Sequence, residues 1–574
     1  MGDWMRHRRI RGSSFVLGFV IATACVLHVA NASAQTLPGP AEPGQIEKRF
    51  EEPVTPKSVL EPMIPEFDGK PLPPEKAGEI KLTLQGVVFE GRTAVPEADL
   101  VALYEALLGK EVTLLQIYEL TDAVTAAYRN AGYILSRAIV PPQRIKSGVV
   151  TIRIVEGYIN RVIIEGEQGS VADLIGAYVD KLQASRPLHL IDLERYLLLV
   201  NDIPGIRAHS VLRPAPNAPG AADLVLKVAL KPVDAALSLD NRGSRYVGPY
   251  QVSASVAENT MVGGAERTNL RLVTANPLGT GQRRELVYAN LSHRRIINDE
   301  GTSISAKLGY SRSDPGHTLK VQEVKGRSLM LSLTGVHPFI RSRGENLSAQ
   351  VGVSFSNSET DLLGARLSDD KARSASLGLT YDFVDRFRGI TLVGATVVQG
   401  LPILDSTNQN SANPSRANGR DDFTKIMARA SRVQKISGPV NLLVAASGQV
   451  SADPLLSGEE FGVGGSKFGR GYDASEITGE QGVAAKVELQ YGRAANWAWL
   501  QNYQAYAFYD VGAVWNKGTG DRDSLASGGV GVRVNLSDQV TTTVEAAAPL
   551  TRNVAAQGTK GDDPRVFFSL TMRY

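Results

Sequence analysis

From Val233 to the last residue, hydrophobic positions alternate with small or polar ones, and polar stretches interrupt the alternation at intervals. Val233, Ala235, Leu237 and Leu239 make one such run, and Ile304, Ala306, Leu308 and Tyr310 another. Leu377, Leu379, Tyr381 and Phe383 form a third, and Val530, Val532, Val534 and Leu536 a fourth; among the residues between are Asp234, Ser238, Arg533 and Asn535. Successive side chains of a strand point to opposite faces, so each run predicts a strand with one apolar and one polar face. Strands that are apolar toward lipid and polar toward a lumen close into a transmembrane β-barrel. A soluble sandwich is the competing fold, but it needs a second sheet over every apolar face and gives no reason for the last segment. That segment, Arg565–Tyr574, keeps Val566, Phe568, Leu570, Met572 and Tyr574 on one face, which predicts a lipid-facing stripe with an aromatic residue at the interface. Polar stretches such as 405–421 become outer loops.

Upstream of Val233 the pattern changes to β, α, α, β, β. Ile80–Phe89 alternates, Pro96 opens a helix with Leu100, Leu103 and Leu107 on one face, and a second helix carries Ile117, Leu120, Val124 and Tyr128. Strands are predicted over 133–140 and 148–155. The order then recurs with a strand over 158–165, helices over 171–182 and 193–200, and strands over 206–213 and 222–231. A repeat of roughly 75 residues with two helices and three strands is a pair of domains and not a solenoid. Before them, residues 35–78 hold Pro38, Pro40, Pro43, Pro53, Pro56, Pro62, Pro65, Pro71, Pro73 and Pro74, a density that favours an extended linker. One island, Gln45–Glu52, follows Pro43 and is stopped by Pro53, which predicts a helix of about two turns.

The stretch Phe461–Tyr491 organises the barrel. Gly462, Gly464, Gly465, Gly469 and Gly471 let a long loop fold back on itself before an alternating strand, Val483–Tyr491, enters the sheet. Arg470-Gly471-Tyr472 sits near its middle and resembles the signature on the inward-folded loop of the outer-membrane superfamily that includes the Bam insertases and the two-partner secretion transporters. By itself a loop arginine is most often a solvated cation. Gly132–Gln143 and Gly148–Ile159 resemble the first POTRA domain of the haemolysin-activator (ShlB/FhaC/HecB) type, Leu239–Ser244 with Gly248–Gln251 resembles the first barrel hairpin, and Phe508-Tyr509-Asp510-Val511-Gly512 resembles the strand with a D-x-G element.

The resemblance implies a transmembrane antiparallel β-barrel of about 16 strands preceded by two α+β POTRA domains. Its expected divisions are a signal peptide at 1–34, the linker at 35–78 with a short plug helix, POTRA domains at 79–157 and 158–232, and the barrel at 233–574 with the inward loop around 461–482. It implies that Asp510 meets Arg470 inside the barrel, where a shielded arginine needs a carboxylate. It implies that Phe568, Leu570, Met572 and Tyr574 form the terminal signal read by the barrel assembly machinery. The implied activity is passage of an unfolded, secreted partner, a large adhesin- or haemolysin-like protein, from periplasmic POTRA domains through the pore to the cell surface. A factor that inserts other barrels is the alternative within the superfamily, though relatives of that kind carry more POTRA domains. A passive diffusion porin is a third reading and gives no reason for POTRA domains.

Bulk properties narrow the classes. A net charge of +3 offers no basis for nucleic-acid binding. The basic Arg6, Arg8, Arg9 and Arg11, the apolar run Phe15–Ala30 and the small residues Ala32-Ser33-Ala34 read as an export signal cleaved after Ala34, which fits the outer membrane of a Gram-negative cell. The single cysteine, Cys25, lies inside that signal, and the apolar run continues past it, unlike a lipoprotein signal. The histidines at 189, 209, 293, 317 and 337 have no metal-ligand spacing, and G-x-S-x-G and H-E-x-x-H are missing. The glycine cluster lacks the Lys-Ser/Thr ending of a phosphate-binding loop. Neither a catalytic group, a metal nor a cofactor is implied.

Overall fold

The computed structural model describes residues 37–59, 77–145, 147–215, 218–261, 263–276, 284–497, 499–518 and 520–574. The expected signal segment, with Ala32 and Ala34, lies outside the described residues, as do residues 60–76 of the linker.

The first described element is a helix, α1 (Pro43–Arg49), preceded by a 3-10 turn at Gly39–Ala41. Sequence reading extends this helix to Glu52, but it ends at Phe50, and Glu51 and Glu52 are exposed. The residue before a proline is pushed out of the helical region, and Pro53 imposes that limit on Glu52.

The first small domain comprises β1 (Lys81–Thr83), β2 (Gly86–Glu90), α2 (Glu97–Val101), β3 (Glu111–Thr113), α3 (Leu114–Asn130), β4 (Arg137–Ile139) and β5 (Val149–Val155). Its sheet runs β2-β5-β4, and β1 pairs with β3 apart from it. The expected continuous strand from Ile80 to Phe89 is therefore two, broken where buried Leu84 turns to exchange backbone hydrogen bonds with the 109–110 corner. The helix after Pro96 is only five residues, then a 3-10 turn over Glu105–Leu107, so Leu100 is buried while Leu103 faces solvent. The helix α3 holds as expected: Thr113 and Gln116 form a capping box, and Ile117, Leu120, Val124 and Tyr128 fill the core. Of the strand expected over 133–140, only 137–139 pairs; Ile134 and Leu135 pack against the core of the second domain instead.

The second domain comprises β6 (Tyr158–Gly166), α4 (Ala172–Ala184), α5 (Leu190–Asn201), β7 (Ile206–Pro214) and β8 (Ala221–Leu230), with sheet order β6-β8-β7. The N–H groups of Leu188 and Leu190 donate to the carbonyls of Gly157 and Gly132 at 2.8 and 2.9 Å, which ties the two domains by main chain.

The barrel is built from β9 (Val233–Asp240), β10 (Gln251–Asn259), β11 (Glu266–Ala275), β12 (Leu286–Ile296), β13 (Ser303–Ser313), β14 (Lys325–Arg341), β15 (Glu345–Leu362), β16 (Ala365–Val384), β17 (Gly389–Gly400), β18 (Thr424–Ser437) and β19 (Val440–Ser451). A small hairpin, β20 (Phe461–Val463) and β21 (Ile477–Gly479), lies within the next loop. The wall resumes with β22 (Gln481–Trp497), β23 (Leu500–Trp515), β24 (Arg522–Asn535), β25 (Val540–Pro549) and β26 (Arg565–Arg573). These sixteen wall strands are antiparallel and closed, β26 pairing with β9 from Ser569↔Asp240 to Arg573↔Ala236. Leu237, Leu239, Ile304, Leu308, Tyr310, Leu377, Leu379, Val530 and Val532 are exposed on the outer face, where lipid replaces a protein core.

Candidate functional site

The loop between β19 and β22 enters the barrel and packs against its inner wall. Its reversal depends on backbone that side-chain-bearing residues seldom adopt: Gly464 has φ +127°, and a Cβ there would stand 2.1 Å from the Asp473 carbonyl oxygen. This folding carries Arg470 to a site where only 3% of its surface remains exposed.

Asp510 on β23, fully buried, receives four hydrogen bonds from the loop. Arg470 donates from Nη2 to Oδ1 at 2.8 Å and from Nε to Oδ2 at 3.0 Å, and the backbone N–H groups of Arg470 and Gly469 reach Oδ2 at 2.9 and 3.1 Å. A bidentate guanidinium–carboxylate pair fixes orientation as well as distance. The remaining guanidinium nitrogen, Nη1, lies 2.5 Å from Glu488 on β22 and 3.5 Å from Glu545 on β25. The Phe508 ring lies under the guanidinium at 3.5 Å from its centroid. Two more arginines share these carboxylates: Arg533 reaches Glu488 at 2.7 Å and Arg242 reaches Glu545 at 2.6 Å. Burying a charge without partners is very costly, and here each carboxylate faces at least one guanidinium.

The neighbours of Arg470 seat the loop on the wall. A Cβ on Gly471 would come within 2.9 Å of the Ala548 carbonyl and the Pro549 nitrogen, so the loop backbone lies directly on β25. Tyr472 is buried; its hydroxyl donates to the Ala526 carbonyl at 3.1 Å and accepts from the N–H of Arg552 at 3.3 Å. Arg565 of β26 pairs with Asp473 at 2.7 Å. From the outer side, Arg416 in the 401–423 loop pairs with Glu480 and Glu460 at 2.6 and 3.1 Å.

The other face of the loop holds α1. Gln45 donates to the Ser457 carbonyl at 2.7 Å and accepts from Ser475 at 3.2 Å, while Lys48 donates to the Glu460 carbonyl at 2.7 Å. Gly44 meets Gly458 so closely that a Cβ would lie 2.7 Å from its Cα. The wall contributes Ser328, which donates to Glu47 at 2.9 Å, and Gln251, which accepts from Arg49 at 2.9 Å; the Phe50 ring stacks on Tyr288 at 4.7 Å. Wall, loop and helix are thus one connected body across the lumen.

On the last strand, Val566, Phe568, Leu570 and Met572 share a face, with Val566 and Met572 well exposed. Tyr574 is 74% exposed, and its carbonyl accepts from Lys231 at 2.7 Å. The Phe568 N–H donates to the Asn241 side chain at 2.7 Å across the closing seam.

Comparison with known proteins places this architecture. The profile of the family described as Haemolysin secretion/activation protein ShlB/FhaC/HecB matches residues 220–534, more than half of the chain. The chain belongs to this family. A second profile, the ShlB-type POTRA domain, matches residues 82–157. The heme/hemopexin transporter protein HuxB of Haemophilus influenzae (strain 86-028NP) is 25% identical over 422 residues, covering 71% of this chain and 72% of its own. The outer membrane transporter CdiB of Dickeya dadantii (strain 3937) is 25% identical over 553 residues, covering 92% and 95%. Among solved structures, CdiB from Escherichia coli superposes with a TM-score of 0.72 at 19% identity, covering 89% of this chain and 93% of that one. CdiB from Acinetobacter baumannii gives 0.60 at 17% identity, covering 90% and 95%.

As a ShlB/FhaC/HecB protein, the chain is a two-partner secretion transporter of the outer membrane, with its POTRA domains in the periplasm. Members of this family are transporters of secreted partner proteins. The sequence motifs mark Arg470 and Asp510 but not Glu488 or Glu545. Their only sequence signal is parity: each occupies a lumen-facing position of an alternating strand, where a carboxylate is unremarkable until its arginine is known.

Proposed function

We propose that the POTRA pair captures a large, unfolded, adhesin- or haemolysin-like partner in the periplasm and passes it as an extended chain through the lumen, past the Arg470 loop, after α1 leaves. On this reading the domains divide at about 79, 158 and 233, and residues 1–34 are removed after Ala34. The observation that carries the reading is the lumen itself: its occupants are a fixed loop, held by the Arg470–Asp510 pair, and a short helix held by side chains. A short sheet with an open edge accepts an extended client as an added strand, and β2 and β7 each offer such an edge. The terminal strand, with Phe568, Leu570, Met572 and Tyr574, is the segment that the barrel assembly machinery would read. The transport test is deletion of residues 80–232 in a strain that makes the partner. We expect the partner trapped in the periplasm while the barrel remains in the membrane; unaltered secretion refutes the reading. A large exported β-rich protein in the neighbouring reading frame is the partner to assay.

A further inference from the structure

Downstream of α1 the linker is fastened a second time. Residues 51–55 are exposed, but Ser58 is only 4% exposed. Its N–H and its hydroxyl both donate to Asp382 Oδ2 on β16, at 2.9 and 2.6 Å. Asn346 on β15 braces both, donating to the Ser58 hydroxyl at 3.1 Å and to Asp382 at 3.0 Å. The Val59 N–H reaches the Arg343 carbonyl at 3.0 Å in the turn between β14 and β15. A tether needs none of this, because ordering a chain costs conformational entropy and covalent continuity alone supplies the connection.

The same contacts continue into the second POTRA domain. Arg341, at the end of β14, donates to Asn346 at 2.9 Å and, in bidentate fashion, to Asp202 at 2.9 and 3.0 Å. Asp202 caps the C-terminus of α5, and Lys57 of the linker closes the ring by reaching the same carboxylate at 3.2 Å. Asp202, Arg341, Asn346, Asp382, Ser58 and Lys57 form an unbroken cycle with members from the POTRA domain, the barrel and the linker. Elsewhere on this domain, Lys181 and Arg195 pair with Glu300 at 2.9 Å each, and the Arg343 N–H donates to Glu194 at 3.1 Å, so α4 and α5 rest on the same rim.

We propose that Asp202 is a positioning residue that latches the plug linker, so that moving the second POTRA domain off the rim unfastens Ser58 and permits α1 to withdraw. This inference rests on the transport reading above. A shift of α5 removes two guanidinium bonds and the Lys57 contact together, and leaves the buried Arg341 short of acceptors. Loss of that brace loosens Asn346 and, through it, the pair of bonds on Ser58.

The test uses full-length protein and needs no partner. Gln45→Cys with Ser475→Cys replaces two side chains in contact, so the rate of disulfide formation between them reports occupancy of the lumen by α1. Asp202→Asn and Ser58→Ala are each added to this pair, with planar-bilayer recordings of the same variants. We expect several-fold slower cross-linking and more frequent openings in both, and the double variant no worse than the stronger single one. Heat-modifiable migration verifies barrel closure, and Ser58→Ala, which leaves domain packing untouched, decides the matter if Asp202→Asn does not assemble. Cross-linking and openings unchanged in Ser58→Ala overturn the latch, as do additive effects. Those results leave secretion by the parent protein intact, whereas absence of secretion by the parent sinks the transport reading alone.

Discussion

Arg470 and Asp510 meet through the Nη2 and Nε of the guanidinium and both oxygens of the carboxylate, at 2.8 and 3.0 Å, with two backbone N–H groups converging on the same aspartate. The pair therefore fixes the path of the loop as well as its charge. Replacing Asp510 with Ala leaves a buried arginine with Glu488 as its nearest acceptor. We expect a loss of about 3–5 kcal/mol, typical for breaking a buried pair from one side, seen as a lowered unfolding temperature of the barrel and loss of secretion. Arg470→Lys supplies one point charge where a planar fork is required and should recover little of either.

Gly471 tests how closely the loop lies on the wall. The Cβ of Gly471→Ala would sit 2.9 Å from β25 backbone atoms, which cannot swing aside as a flexible side chain does. The variant should assemble but expose Tyr472, and the readout is faster proteolysis within 461–480 while the wall strands stay protected. Wild-type protection in Gly471→Ala would show the contact to be slack.

Removing α1 is a separate test. Deleting residues 39–50 takes away every contact that Gln45, Lys48, Arg49 and Phe50 make across the lumen, and single-channel conductance should rise severalfold with barrel stability little changed. Conductance equal to the parent would mean that the inward loop alone closes the lumen.

A pH dependence resides in the first POTRA domain. Glu156 accepts from the N–H groups of Thr93 and Ala94 at 2.7 and 2.8 Å, from the Thr93 hydroxyl and from the Tyr128 hydroxyl at 2.8 Å. Burial alone would raise this carboxyl, but those donors outweigh it and hold it below its ordinary value of 4.5. A depressed carboxyl stabilises the fold fully above pH 4.5, and that contribution is lost as pH falls through the lowered value. Hydrogen exchange around Thr93 should therefore be slow at neutral pH and accelerate in acid, and Glu156→Gln should flatten the dependence.

The parts of this fold that were legible in the sequence are those in which the solvent imposes a rule. Lipid demands an apolar residue at every second position, so Leu237, Ile304 and Val530 declare the wall without help from their neighbours. Helix α3 declares itself through its cap and its three- and four-residue spacing. What escaped was decided by contacts distant in sequence. Leu84 breaks a strand because its backbone pairs with the 109–110 corner, and Ile134 leaves its expected strand for the core of the next domain. At the site, the family motif announced Arg470, but Glu488 and Glu545 come from strands β22 and β25, which share its guanidinium only once the loop has folded onto them.

Helix α1 is only seven residues long. A helix so short does not persist in water, because nucleation is unfavourable and few bonds follow to offset it. Once out of the lumen the stopper should unravel into leash, leaving nothing rigid to be pushed back in. Resealing then requires the peptide to wind up again against Ser457, Glu460 and Tyr288, so closure is a binding-coupled folding event whose template is the vacated passage.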